Sequence, residues 1–153
     1  MELENAKRYA ARLKARLRPY CSRLFIVGSI RRGKVEVNDI DLLIIPSDHW
    51  GLNRELKILG TKIKGPKLSH FVYFDVPVDV YFADEESWAN LLLIRTGSKE
   101  NNIRLCRRAR ELGMKLKASG QGLIGLDGKV LKISSEKEIY QKLGMIYQPP
   151  GQR

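Results

Sequence analysis

Two aspartates, Asp39 and Asp41, open a strongly apolar run that ends at Pro46. A short apolar run between a polar segment and a proline predicts a buried β-strand. Side chains two apart on a strand point to the same face, so both aspartates should share one face while Ile40 and Leu42 point into the core. An isolated Asp-x-Asp is most often a solvated strand edge or turn. A carboxylate in a strand this apolar, however, needs a partner that offsets its burial.

A third carboxylate, Asp79, lies in a second apolar run, Val76–Phe82, and faces away from Val78 and Val80. A neighbouring strand would bring it beside the first pair. Like charges held together raise one another's pKa, and a divalent cation removes that penalty. Oxygen ligands suit Mg²⁺, and three carboxylates can hold two such ions about 3.5–4 Å apart. We therefore expect two Mg²⁺ ions, with Mn²⁺ as the alternative metal; Asp75, at the predicted turn, is a weaker candidate ligand.

A predicted strand over Leu24–Val27 runs directly into Gly28 and Ser29. Glycine lets a phosphate approach the backbone closely, and a serine hydroxyl can donate to that phosphate. Arg31 and Arg32 come next, and a guanidinium suits a triphosphate. Most Gly-Ser pairs are ordinary turns, so the weight of this one rests on its spacing to the aspartates.

The net charge of +11 and sequence pI of about 9.8 favour a polyanionic partner, nucleic acid before an anionic membrane surface. Residues 1–34 hold ten Lys or Arg against two Glu, and residues 95–117 hold eight against two. The middle of the chain is therefore comparatively acidic. A basic rim around an acidic centre suits a metal-dependent enzyme that acts on nucleic acid.

The 153 residues contain no apolar run of membrane-spanning length and no signal-peptide segment. We therefore expect a cytoplasmic protein with no membrane partner. A monomer is also expected. Cys21 and Cys106 lack metal-site spacing and are expected to be reduced thiols.

The periodicity of the remaining chain predicts an α+β fold in which helices pack on a mixed sheet. The predicted helices are Leu3–Leu17, Asn53–Leu59, Glu85–Arg95, a helix capped by Ser98 that runs to Leu112, and one opened by a Ser135–Glu138 capping box and ended by Gly144. Strand, turn and strand are expected between Lys62 and Phe82. An Asp127-Gly128 turn predicts a hairpin between Leu123–Leu126 and Lys129–Ile133. The break at Thr96-Gly97 divides the chain into lobes 1–95 and 96–153.

Several stretches of this sequence resemble the family X DNA polymerases, the DNA polymerase beta group. They are GSIRRGKVEVNDIDLLII, VDVYF, LLIRTGSKENNIRLCRRARELG, GLDGKV, SSEKEIYQKLG and YQPPGQR, and together they extend from Leu24 to the C-terminus. The resemblance implies a nucleotidyltransferase-type palm over 1–95 and a small α/β thumb over 96–153. Ahead of Leu24 only a helix is predicted, so the family's lyase and fingers domains, and lyase activity, are not expected.

Carried over position by position, the resemblance implies that Asp39 and Asp41 bind both metals, while Asp79 holds the catalytic metal and helps to activate the primer 3′-hydroxyl. The nucleotide-binding positions that it implies are Gly28, Ser29, Arg32, Gly97 and Asn102. The basic helix after Ser98 suits DNA phosphates, and its candidate contacts are Arg104, Arg107 and Arg108; a merely solvated charged face is the alternative.

Four positions depart from the family pattern. Ile94-Arg95 stands where the family commonly has an aromatic pair. This departure bears on how the protein would discriminate between the sugars of dNTPs and rNTPs. Cys106 replaces an arginine that reads the template minor groove, so low fidelity is expected. Pro77 replaces an arginine that orients the third carboxylate.

These residues predict a template-directed DNA polymerase that fills short gaps, with a dNTP and primer–template or gapped DNA as substrates. A second hypothesis is a template-independent nucleotidyltransferase that acts on RNA ends, protein or a small molecule. A third is a non-catalytic nucleic-acid-binding protein built on a decayed palm.

Overall fold

The computed structural model describes residues 1–63 and 65–153. Helices and a mixed sheet confirm the α+β class. The chain divides into two compact units, Met1–Ala83 and Asp84–Arg153. Within the described ranges no helix has both the length and the hydrophobicity that crossing a membrane requires.

The first unit is built on a five-stranded sheet. Its strands are β1 (Cys21–Ile26), β2 (Ile40–Pro46), β3 (Lys62–Ile63), β4 (Leu68–Tyr73) and β5 (Val76–Phe82), and its helices are α1 (Leu3–Leu17), α2 (Gly28–Arg31) and α3 (His49–Ile58), with a 3₁₀ turn at Arg18–Tyr20. The strand order is β1-β2-β5-β4-β3. Strands β2 and β5 run parallel, and the other pairs are antiparallel.

The predicted amphipathic helix is confirmed at its predicted bounds as α1. Its fully buried residues, Ala6, Ala10, Leu13 and Leu17, recur at three- and four-residue spacing and so form one apolar stripe. They join a core with the inward-facing side chains of the sheet, which include Ile40, Leu42, Val78 and Val80. The opposite sheet face, left out of this core, carries the aspartates.

The second unit has helices α4 (Trp88–Thr96), α5 (Lys99–Glu111) and α6 (Glu136–Lys142), the two-stranded β6 (Lys115–Lys117) and β7 (Gly122–Ile124), and a 3₁₀ turn at Pro150–Gln152. Leu93, Leu105 and Tyr140 are among its buried core residues. The buried guanidinium of Arg153 pairs with Glu136 at 2.6 Å between Nη1 and Oε2.

The helix caps agree closely with prediction in this unit. The Ser98 side chain accepts from the Asn101 N–H at 3.3 Å, and that of Ser135 accepts from the Glu138 N–H at 3.2 Å. The return bond of the second cap goes from the Ser134 N–H, not that of Ser135, to the Glu138 carboxylate. That bond is the main reason why the pKa of Glu138 is lowered.

The predicted hairpin across Asp127-Gly128 is confirmed, with short pairing. The Gly125 N–H donates to the Lys129 carbonyl at 2.9 Å, Ile124 and Val130 form an antiparallel bridge, and the Leu131 N–H donates to the Leu123 carbonyl at 2.8 Å. On its other side β7 pairs with β6, which the sequence did not predict, through the pairs Lys115–Ile124, Leu116–Leu123 and Lys117–Gly122. The Asp-Gly signal correctly indicated a local turn, while the two-stranded ladder was decided by packing of Leu116 and Leu123 into the core.

The compact units divide before α4, whereas the sequence placed the lobe boundary after it. The backbone break at Gly97 is present, yet Leu93 and Ile94 of α4 are buried in the core of the second unit. Burial of this apolar helix therefore decides which unit contains it. The functional assignment of 1–95 to a palm and 96–153 to a thumb stays a prediction.

Both cysteines are free, in line with the expectation of reduced thiols. Burial raises the pKa of Cys21 to about 11, against a smaller opposing effect of the Arg18 charge. Burial also raises the pKa of Cys106, and the Arg110 charge partly opposes this. Both thiols are therefore protonated near neutral pH.

Candidate active site

Asp41 and Asp79 lie directly opposite each other on the parallel strands β2 and β5. Residues in register on neighbouring strands point to the same face, so their carboxylates emerge side by side. Both are only partly buried, whereas Leu42 and Val80, next along the same strands, are fully buried on the other face. The predicted alternation is thus observed, and the two strands predicted to be neighbours are neighbours.

Gly28 lies against the Asp41 side chain. A Cβ added at Gly28 would come within 2.0 Å of Asp41 Oδ2 and 2.9 Å of its Cγ, and the glycine φ is +63°. The Val27 N–H also donates to the Asp41 carbonyl at 2.9 Å. Only glycine fits both this space and this backbone conformation. The Gly-Ser turn therefore lies directly against the carboxylate row, which is the pair Asp41 and Asp79.

Ser29 directly follows this glycine, in the one-turn helix α2. Its hydroxyl oxygen is buried and has no hydrogen-bond partner among residues 1–63 and 65–153. A buried hydroxyl without a partner is costly, so the position is suited to a ligand oxygen. Arg32, at the C-terminal end of α2, is partly buried.

Asp39 immediately precedes β2 and is partly buried. In the part of the chain that the structure describes, no three His, Cys, Asp or Glu side chains are grouped so as to hold a metal ion. The structure thus brings together Asp41 and Asp79, and the role of Asp39 as a further ligand stays a prediction. Asp75 lies in the exposed turn between β4 and β5, with φ +63°, and not in the carboxylate row.

The donors present fit a divalent cation by their chemistry. Asp41 and Asp79 supply carboxylate oxygens in register on one face. The Ser29 hydroxyl, next in sequence to the glycine that contacts Asp41, is buried and has no hydrogen-bond partner within the described residues. Hard oxygen donors of this kind suit Mg²⁺ or Mn²⁺.

Sequence reasoning missed one residue of this face, His70. Its Nδ1 lies 2.7 Å from Asp79 Oδ1, because His70 on β4 is in register with Asp79 on β5. The only available signal was its alternation with the buried neighbours Ser69 and Phe71. That pattern indicates which face of β4 carries His70, but it does not indicate which residue of β5 lies opposite His70.

In the second unit, Gly97 and Asn102 both line an open cavity of about 420 Å³. Gly97 has φ +73° and its peptide bond to Ser98 is cis. The Asn102 amide donates to the Ile94 carbonyl at 2.8 Å, and its Oδ1 is buried without a partner in the described part of the chain. The cavity is also lined by Lys99, Ile103, Cys106 and Arg110. The two predicted nucleotide positions of this unit therefore do share one concave surface.

The three predicted DNA-contacting arginines of α5 differ in their surroundings. Arg107 is exposed. Arg104, also exposed, donates to Asn101 Oδ1 and Gln148 Oε1, each at 2.9 Å. Arg108 donates to the Leu143 carbonyl at the end of α6 at 3.0 Å and pairs with Glu111 at 3.3 Å. Arg108 is thus engaged in holding α5 to α6, and Arg107 is the most available to an external phosphate.

Comparisons with known proteins agree with this architecture. Residues 91–153 match the family model described as DNA polymerase beta thumb. The chain is 31% identical over 131 residues to the DNA polymerase/3′-5′ exonuclease PolX of Bacillus subtilis, and 26% identical over 158 residues to DNA polymerase lambda of Rattus norvegicus. These alignments cover 80% and 82% of this chain.

Sequence and fold relate the chain to the family X DNA polymerases.

The fold comparison points the same way. A crystal structure of Leishmania infantum polymerase beta, a ternary P/T complex, superposes on the whole of this chain and 76% of its own with a TM-score of 0.81, at 19% identity. The fold that the resemblance implies is thereby confirmed. The chain spans 23% of the length of the Bacillus relative and 28% of that of the rat relative.

Proposed function

We propose that this chain is a DNA-directed DNA polymerase that fills short gaps, with a dNTP and gapped or primed DNA as substrates, and that it acts as a monomer. The observation that carries the proposal is the pair of carboxylates in register, Asp41 and Asp79, with Gly28 packed against the first. The family X relatives, named as DNA polymerases, support template-directed synthesis over other transfer reactions.

In the proposed reaction the primer 3′-hydroxyl oxygen attacks the α-phosphorus of the dNTP in line with the departing pyrophosphate. A new O–P bond forms, the bond to the β-phosphate oxygen breaks, and the hydroxyl proton is released. Two divalent cations, when bound, would lower the pKa of the 3′-hydroxyl and stabilise the charge on the leaving group.

The residues of the chain would supply binding and orientation. Asp39, Asp41 and Asp79 would hold the cations, and Asp79 would lie beside the primer terminus. The buried Ser29 hydroxyl would donate to the triphosphate, and the Arg32 guanidinium would neutralise part of its charge. Catalysis would then come mainly from positioning and charge stabilisation.

The test of this function is extension of a one-nucleotide gapped duplex with each dNTP and rNTP in turn, in Mg²⁺ and in Mn²⁺. We expect addition of the nucleotide complementary to the template base. Addition that ignores the template base would favour the template-independent nucleotidyltransferase instead. DNA binding without nucleotide addition in either metal would favour the non-catalytic hypothesis.

We also propose that α5 contacts DNA phosphates, and the contrast between two neighbouring arginines tests this. Replacing exposed Arg107 by alanine should reduce the slope of log K against log salt concentration by about 0.9, the value for one phosphate contact on duplex DNA. The melting temperature should not change, because surface substitutions seldom alter stability. Fluorescence anisotropy over a salt series gives the slope.

The matched control is Arg108→Ala, which removes the same charge from the same helix. It should lower the free energy of unfolding by about 1 kcal/mol, because the Leu143 carbonyl loses its donor. Equal salt slopes for the Arg107 variant and the unmodified protein would contradict the assignment of Arg107 to a phosphate.

A further inference from the structure

A row of three polar side chains crosses the sheet of the first unit on the face opposite its core. Asp41 on β2 is in register with Asp79 on β5, and Asp79 is in register with His70 on β4. The adjacent rows, formed by the neighbours of these residues along each strand, are buried apolar side chains and Ser69. Asp79 therefore has a carboxylate on one side and an imidazole on the other.

The bond between His70 and Asp79 has a defined direction. Nδ1 lies 2.7 Å from Oδ1, and an ionised carboxylate has no proton to donate, so Nδ1–H is the donor. Rotation of a carboxylate about its Cβ–Cγ bond is otherwise broad. A short, charge-assisted bond to one oxygen fixes that rotation and thereby directs the second oxygen too.

The side chains of this pair are only 24% and 26% exposed, so water competes weakly for the bond. On β5 itself, Pro77 precedes Asp79 by two positions and lies on the same face. Proline has neither a backbone N–H nor a side-chain donor, so Pro77 cannot donate a hydrogen bond to the Asp79 carboxylate in place of His70. The donor for this carboxylate comes from the neighbouring strand.

We infer that His70 is a positioning residue for the proposed polymerase reaction, because it holds the Asp79 carboxylate in the orientation that binds the catalytic cation. This inference rests on the function proposed above. Loss of a partner that orients a metal-binding group typically costs about 10- to 100-fold in activity or metal affinity. The Michaelis constant for the dNTP should change little, because the proposed triphosphate contacts come from Ser29 and Arg32.

The central comparison is between His70→Leu, which removes the donor, and His70→Asn, whose amide N–H₂ can take the place of Nδ1–H. We expect kcat on a gapped duplex to fall about 10- to 100-fold in the leucine variant and to recover largely in the asparagine variant. Binding of Mn²⁺ alone, followed by its electron paramagnetic resonance signal without DNA, should weaken in the leucine variant only. The ¹⁵N spectrum of the unmodified protein should show a proton on His70 Nδ1.

Two further variants separate the possible outcomes. His49→Leu changes the other histidine of the chain, an exposed residue at the start of α3, and should leave kcat unchanged. Asp79→Asn reports on the proposed function itself. Full activity of Asp79→Asn would overturn that function, whereas an inactive Asp79→Asn with a fully active His70→Leu would overturn only the role of His70.

A purely structural role for His70 predicts a different pattern, in which melting temperature falls while kcat and Mn²⁺ affinity of the folded protein are retained. Should the leucine variant fail to fold, His70→Phe keeps an aromatic ring without a donor. Equal kcat and Mn²⁺ affinity in the phenylalanine and asparagine variants would overturn the inference.

Discussion

Replacing Asp79 by asparagine should reduce primer extension by at least about 10²- to 10³-fold, the loss that accompanies removal of one charge-stabilising group from an active site. The substitution keeps the size of the side chain and removes a negative charge from the position opposite Asp41. Single-turnover extension of a gapped duplex measures the effect on the chemical step. Affinity for the same duplex without nucleotide should be nearly unchanged.

The free energy of unfolding of Asp79→Asn provides a second, independent test of this prediction. Asp41 and Asp79 are like charges in neighbouring register positions, and like charges held together destabilise a fold when no cation lies between them. The free energy of unfolding of Asp79→Asn, measured in EDTA, should therefore change little, because relief of this repulsion offsets the weaker bond from His70 Nδ1 to a neutral side chain. A loss of activity caused by unfolding would require a large fall in the free energy of unfolding.

The matched control is Asp75→Asn, in the turn of the same β4–β5 hairpin. It removes the same charge from a nearby position, but Asp75 is exposed and lies outside the carboxylate row. Its extension rate should stay within about twofold of the unmodified protein, as for surface substitutions that leave the fold intact. An active Asp79 variant, or an inactive Asp75 variant, would show that the wrong carboxylate has been assigned.

How much of this site could be predicted depends on what local sequence encodes. The two-residue period of a strand indicated the face on which Asp41 and Asp79 lie, because that period is a property of the backbone itself. The expectation that β2 and β5 are neighbours was supported by the family resemblance. The spacing between Gly-Ser and the aspartates in that family pattern agrees with the contact between Gly28 and Asp41. Register between β4 and β5, on which the His70–Asp79 bond depends, is set by the turn and by the buried faces together, and a single strand does not specify it.

The omissions have the same origin. The Asp-Gly turn correctly indicated a hairpin, with Ile124 paired to Val130, but the pairing of β7 with β6 was missed, because the sequence of β6, Lys115–Lys117, contains a single apolar residue. The start of α3 was missed by four positions because Asp48, which caps the helix by accepting from the Gly51 N–H at 3.0 Å, was not recognised as its N-cap. Pairing partners and caps in short segments are decided by tertiary contacts, which override weak local preferences.

The contact between Gly28 and Asp41 leads to the second large prediction. Gly28→Ala should lower both stability and extension rate, for two separable reasons. A residue with a Cβ is strained at φ +63°, at a cost of roughly 1–2 kcal/mol. The new methyl group would also meet Asp41 Oδ2, Cγ and Cβ at 2.0, 2.9 and 3.0 Å, so the carboxylate has to move. A displacement of about 1 Å at a reacting group can cost about 10²-fold in rate.

Gly33→Ala separates these two contributions. Gly33 has nearly the same φ, +69°, but a Cβ there would meet no atom within 4 Å. Its variant should therefore show the backbone penalty alone and retain its extension rate. The excess loss of stability in Gly28→Ala, about 1–3 kcal/mol for overpacking, measures the contact with Asp41. Equal unfolding energies and equal rates for the two alanine variants would show that Gly28 does not constrain Asp41.

Shortening Asp41 completes the argument, because it removes the atoms that the new methyl group meets most closely. In an Asp41→Ala background the stability cost of Gly28→Ala should fall towards that of Gly33→Ala, since Oδ2 and Cγ are gone and only the Cβ at 3.0 Å remains. The difference between the two backgrounds is the coupling energy of the pair, which for residues in contact is about 0.5–3 kcal/mol. Two residues that do not contact each other give additive effects on stability. A coupling energy of zero would therefore contradict a contact between Gly28 and Asp41.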